Sequence, residues 1–171
     1  MRYTTRTEYG IICMMAMASK PEGTLVTSKE IAARENYSVT YIEKILQALR
    51  AAHLVDAHHG NQGGYSLSRK PFEITVRQII DALEGSTFDA FCEPEVREDI
   101  VCNHICLCGA KPVWKRTKEL LDRFYDSITL ETLAKSPAEA QSLIAHPNVI
   151  LSPKGEESQR RDPSVAAATS G

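Results

Sequence analysis

The stretch that most narrows the possible folds is "LVDAHHGNQGGYSLS", residues 54 to 68, in which two short extended runs flank "GNQGG". Gly60, Gly63 and Gly64 permit the positive backbone angles of a tight hairpin. Three helical patterns stand before it. Tyr9, Ile12, Cys13, Ala16 and Met17 follow helical spacing and predict an amphipathic helix over 4–19, ending before "KPEG". After the extended piece "TLVT", Ser28 is positioned to cap "SKEIAARE", with Ile31 and Ala32 facing inward. Following "NY", Ser38 precedes Ile42, Ile45, Leu46 and Leu49, the spacing of a third helix that runs to about His53. A small α+β domain with no nucleic-acid role shares these elements. Two helices joined by a short turn and followed at once by a glycine-tipped hairpin favour a winged helix-turn-helix.

Beyond Pro71, "TVRQIIDALEG" predicts a fourth helix with Val76, Ile79, Ile80 and Leu83 on one face and Gly85 as its stop. From Pro112 a longer helix is expected, with Val113, Thr117, Leu120, Leu121, Phe124 and Ile128 spaced close to 3.5 residues apart. Such a stripe either packs on the first core or forms a dimer seam, and the seam is favoured. "TLETLAK" adds a last helical turn, and 136–171, rich in Pro, Ser and Ala, reads as a flexible tail. The expected organisation is a DNA-binding domain over 1–70, a fourth helix, cysteine loop (88–111) and dimerisation helix over 71–135, then the tail. The fold class is mainly α with a small β-wing.

Net charge is −2, which by itself does not suggest a polyanion as partner. The average hides an asymmetry: residues 1–70 carry nine Lys and Arg against six Asp and Glu, and 71–135 carry eight against twelve. Only the first half is suited to a polyanion. In a helix-turn-helix the amino-terminal part of the third helix enters the major groove, which nominates Ser38, Val39, Thr40, Tyr41, Glu43 and Lys44. Ser38 and Thr40 suit phosphate or bases, Glu43 a cytosine amino group, and Lys44 a phosphate; Ser38 as a mere cap and Glu43 as a solvated residue are the plain alternatives. His58, His59, Asn61 and Gln62 on the wing suit a minor groove, and Arg2 and Arg6 suit phosphates.

Four of the five cysteines, with His104, fall in "FCEPEVREDIVCNHICLCGAKPVW". With no long apolar run and no secretory-type start, the expected compartment is the reducing cytoplasm, where clustered thiols are more often metal ligands or redox groups than disulfides. Zinc and an iron-sulfur cluster both suit thiolates. Cys92, Cys102, Cys106 and Cys108 are separated by nine, three and one residues, so no C-x2-C pair of a structural zinc site exists. Cys106 and Cys108 do not easily share one ion, and one of them is expected to be a spectator. Cys13, on the apolar face of the first helix, reads as a small buried hydrophobe. No phosphate-cradling glycine loop, nucleotide fingerprint or acid-base pair points to an enzyme.

The opening "MRYTTRTEYGI", the third helix "SVTYIEKILQALRAAHLV", the wing "GNQGGYSL" and the cysteine loop leading to Trp114 on a long helix resemble the IscR and NsrR family of winged-helix regulators. The similarity covers residues 1 to about 135. The resemblance implies a homodimeric transcriptional regulator, in the form of a repressor, whose [2Fe-2S] or [4Fe-4S] cluster responds to nitric oxide, redox stress or iron supply. It implies Cys92, Cys102 and Cys108 as ligands, with Cys106 unassigned. The histidine that some members have three residues after the last cysteine is Lys111 here, so the implied fourth ligand is Glu8 of the partner's first helix, with His104 or water as alternatives. The arginine many members have before the first wing glycine is His59 here. The same fold sensing through zinc or through oxidation of Cys102, Cys106 or Cys108 is the alternative.

Overall fold

In a computed structural model of the chain, which describes residues 3–60, 63–89 and 108–145, the first helix starts where the Thr4 hydroxyl accepts the backbone N–H of Arg6 at 3.2 Å. Helix α1 (Thr5–Ala18) turns Cys13, Met14, Ala16 and Met17 inward. Helix α2 (Ser28–Glu35) begins one residue earlier than a Ser28 cap requires. Thr27 is the cap: its hydroxyl accepts from Glu30 N, and Glu30 returns to Thr27 N at 2.7 Å, a reciprocal capping box. Asn36, with φ 53, ends α2, and Ser38 caps α3 (Val39–Ala51) by accepting the Tyr41 N–H at 3.2 Å. Ile42, Ile45, Leu46 and Leu49 of α3 then fall on one buried face.

Strands β1 (Val55–His58) and β2 (Gly64–Leu67) form the antiparallel wing, with Val55 opposite Leu67 and His58 opposite Gly64. "TLVT" joins them: Val26 and Tyr65 exchange two backbone hydrogen bonds of 2.9 Å. The three wing glycines do different work from that expected. Only Gly60 has positive φ, at 121°. Gly63 and Gly64 are there for space, since a Cβ on Gly63 would meet His58 O at 2.5 Å and one on Gly64 would meet Val26 O at 3.1 Å.

A single 3-10 turn (Pro71–Glu73) leads to α4 (Val76–Glu84), opened by a Thr75–Gln78 capping box and closed at Gly85, whose φ is 88°. Helix α5 (Lys111–Asp126) is followed by α6 (Leu130–Leu133) and α7 (Pro137–Ile144). The main core joins Cys13 and Met14 of α1, Ile31 of α2, the α3 face, Leu54, Val55, Ile74, Ile79, Leu83 and Leu130. Gly10 lets α1 lie close on α4, because a side chain there would run into Leu83. A smaller cluster of Val76, Ile80 and Ile128 gathers Tyr3, Phe124, Tyr125, Leu133 and Ile144.

Two expectations need correction. The chain is not a structureless tail from Ser136: Ser136 and Glu139 make a capping box, Pro137 occupies the first turn, and Ile144 packs on the smaller cluster. Ile128 and Phe124 are not free for a dimer seam, since both serve that intrachain cluster. The mainly helical winged fold itself is as expected. Among the described residues no helix is long and apolar enough to cross a membrane.

Candidate nucleic-acid interface and metal centre

The capping of α3 decides how its first turn is presented. Ser38 commits its hydroxyl oxygen to the Tyr41 N–H, so its structural role is occupied, while Thr40 and Lys44 project into solvent. Glu43 is half-buried and accepts from Ser28 Oγ at 3.2 Å, which ties the reading face of α3 to the start of α2. Tyr41 is half-buried within a group of three tyrosines. Its ring centroid lies 4.9 Å from Tyr37 and 6.3 Å from Tyr9, and Tyr9 and Tyr37 are 4.1 Å apart. Burial, with Tyr37 adding to it and Arg6 opposing, raises the Tyr41 phenol, which stays protonated and able to donate at neutral pH. Sequence reading missed Tyr9 and Tyr37 as companions of Tyr41, because ring contacts between residues 9, 37 and 41 have no local signature.

On the wing, His58 Nε2 lies 2.9 Å from Ser66 Oγ across the strand pair, so this ring braces the hairpin. His59 is exposed beside Gly60. Asn61, Gln62 and Arg2 lie outside the described residues. The exposed Thr40, Lys44 and His59 and the partly exposed Tyr41 therefore belong to one helix-turn-helix and wing, with the α3 side chains carried on a helix whose opposite face is fully buried.

Of the thiols, Cys92, Cys102 and Cys106 lie outside the described residues, as does His104. Cys108 is half-buried, and its carbonyl accepts the Lys111 N–H at 3.2 Å at the entrance to α5. Glu8 is exposed on the first turn of α1, and its carboxylate enters no ion pair among the described residues. Burial, with Glu35 adding to it, pushes the Cys13 thiol up to about 12, which keeps it an inert core group. Both ends of the cysteine segment are tied to α5. Phe88 packs near Trp114 with ring centroids 6.2 Å apart, Lys118 Nζ donates to Ser86 Oγ at 2.8 Å, and the buried Thr87 donates its hydroxyl to Asp122.

A capped recognition helix on a three-helix core with an adjoining wing defines a DNA-binding transcriptional regulator. The chain belongs to the Rrf2 family: the family profile, described as "Iron-dependent Transcriptional regulator", matches residues 3–136. It is similar to Protein rrf2 of Nitratidesulfovibrio vulgaris, 30% identical over 135 residues that cover 79% of this chain and 88% of the relative. Among solved structures it resembles CymR, the global cysteine regulator of B. subtilis, at 33% identity and TM-score 0.60, covering 78% of this chain and 96% of that one. It also resembles T. potens IscR, at 32% identity and TM-score 0.59, covering 78% and 86%. These relatives are regulators, and the expectation that the chain is not an enzyme stands with them.

Proposed function

We propose that this regulator is a homodimeric repressor that binds DNA through α3 and the wing, and that an iron-sulfur cluster controls its DNA affinity. The signal is nitric oxide, redox stress or iron supply. The contacts proposed are Arg2, Ser38, Thr40, Tyr41, Glu43 and Lys44, with His59, Asn61 and Gln62 from the wing. The cluster ligands proposed are Cys92, Cys102 and Cys108 from one subunit and Glu8 from the other.

The observation that carries this reading is Cys108, a half-buried thiol bonded through its backbone into the entrance of α5. Helix α5 leaves Val113, Trp114 and Leu120 exposed at 55%, 40% and 39%, the apolar surface a symmetric partner would cover. A thiolate and an accessible carboxylate are donors that suit iron, and the family description is iron-dependent. A bound cluster would supply a centre that reacts with oxidants and nitric oxide. The protein's own part is to join that centre to the helix that sets the distance between two recognition helices.

Anaerobic purification tests this. Brown protein containing iron, whose mobility shift on genomic fragments differs between cluster-loaded and cluster-free forms, is the expected result. Colourless protein with stoichiometric zinc would overturn it in favour of the second reading, a zinc- or thiol-based sensor of the same fold. That alternative is favoured by the likeness to a cysteine regulator. Glu8→Ala is expected to reduce cluster content in native mass spectrometry, and unchanged content and stability would remove Glu8 from the site.

A further inference from the structure

Helix α5 has sixteen residues and none is buried. Among the described residues its apolar attachment is densest at its carboxy-terminal end, where Phe124 and Tyr125, with the following Ile128, meet Val76, Ile80 and Tyr3, while near the other end Phe88 lies beside Trp114. Apolar contact of this kind is non-directional; it holds the end of the helix without fixing its angle. Direction comes from a polar lattice further along. Arg77 of α4 donates through Nη1 to Asp126 at 2.9 Å, lies 3.4 Å from Asp122 through Nη2, and 3.4 Å from Asp81 through Nε. Lys118 stands 3.9 Å from Asp122 and bonds Ser86, while Thr87 bonds Asp122 from the other side.

Residues 118, 122 and 126 lie four apart, so the lattice grips one line along α5 over about 12 Å of its axis. A guanidinium presents its donors in a rigid planar fork, and one fork reaching three carboxylates on two helices admits few relative angles. Partly exposed ion pairs contribute little net stability, and charged networks of this kind are better attested as selectors of geometry. A helix pivoting about its end at Asp126 carries Trp114 on an arm of about 18 Å, so a tilt of about 10° moves it about 3 Å, close to one base-pair rise.

We infer that Arg77, with Asp122 and Asp126, is a positioning residue for DNA recognition: it sets the angle of α5 against the winged-helix core and so the half-site spacing that the dimer accepts. The inference rests on the dimeric reading above and needs no particular cofactor. Arg77 touches no DNA.

The test uses the full chain and duplexes selected by the wild type, rebuilt with the spacer between half-sites lengthened or shortened by one and two base pairs. Wild type is expected to favour one spacer by about tenfold, that is about 1.4 kcal/mol. Arg77→Met, folded by circular dichroism and dimeric by sedimentation, is expected to lose most of that preference, with single half-site affinity unchanged and Arg77→Lys restoring part of it. A merely structural role would lower single-site and paired-site affinity together. A folded, dimeric Arg77→Met that keeps the wild-type spacer preference overturns the inference. Should Arg77→Met fail to fold, Asp126→Asn decides by the same two outcomes. A wild type that is monomeric on DNA overturns the dimeric reading, and this inference with it; the sedimentation data tell the two failures apart.

Discussion

In α3 every residue of the inward face is buried, with Ile42, Leu46 and Leu49 at 0% exposure, whereas α5, three residues longer, buries none. Both helices are amphipathic in sequence. The difference lies in what covers the apolar side: α1, α2 and α4 close over α3 within the chain, whereas among the described residues α5 meets the apolar cluster of α4 and Tyr3 near its carboxy-terminal end and Phe88 beside Trp114. An apolar face left exposed at Val113, Trp114 and Leu120 is the surface that the dimeric reading proposed above assigns to a partner. The same amphipathic pattern thus does two jobs. In α3 it builds the buried core side of the helix-turn-helix, and in α5 it serves, on the reading proposed above, as a joint.

Substitutions that remove apolar atoms are expected to separate these jobs. Leu46→Ala deletes a fully buried side chain and is expected to lower unfolding stability by about 2–5 kcal/mol in urea denaturation. A loss under about 1 kcal/mol would mean that α3 is not the centre of the core. Leu120→Glu on α5 is expected to leave the stability of the monomer within about 0.5 kcal/mol while weakening self-association by about tenfold or more. Sedimentation equilibrium measures this, and an unchanged association constant would remove Leu120 from the seam.

How far each region was legible follows the same division. The core helices announce themselves, because Ile42, Ile45, Leu46 and Leu49 repeat at helical spacing and hydroxyl residues stand at their starts. Even the misplaced cap had a signal: Glu30 stands three after Thr27, the reciprocal spacing of a capping box, and the Ser136–Glu139 pair likewise marks α7. The α5 stripe was legible as a stripe, but its period does not say whether Phe124 and Ile128 meet their own chain or another. Of the Arg77 lattice only the pair with Asp81, four residues on, is local and ordinary surface helices carry such pairs; Asp122 and Asp126 lie 45 and 49 residues away and leave no local trace. Of the implied cluster ligands, Cys92 and Cys102 lie outside the described residues.

Two smaller perturbations sharpen the comparison. Thr27→Ala removes the α2 cap and is expected to cost about 1 kcal/mol, with most of it recovered in Thr27→Ser. A Thr27→Ala protein as stable as wild type would show that Glu30 alone sustains that terminus.

The last prediction sets the two regions against each other in acid. Glu84 links α4 to α1: burial works against its charge, but the hydroxyls of Thr4 and Thr7, each at 2.5 Å, outweigh it and hold the carboxyl below the ordinary glutamate value. A depressed carboxylate stabilises the fold above its unfolded value near 4.5, and that stabilisation is lost as pH falls through the folded value. Asp81, on the α5 side of the same helix, is shifted the other way: burial raises it, and Asp122 adds to this against Arg77. Its contribution is complete below about 3.8 and is lost as pH rises through the raised value. Between pH 5 and pH 3 the core therefore loosens at Glu84 while the joint tightens at Asp81. Urea denaturation across that interval is expected to give a shallower acid loss for Glu84→Gln and a steeper one for Asp81→Asn, each by less than about 1 kcal/mol at these partly exposed positions. If the Glu84→Gln curve superimposes on wild type, the Thr4 and Thr7 hydroxyls do not hold α1 to α4 through a charge, and the polar tie between core elements belongs to the joint alone.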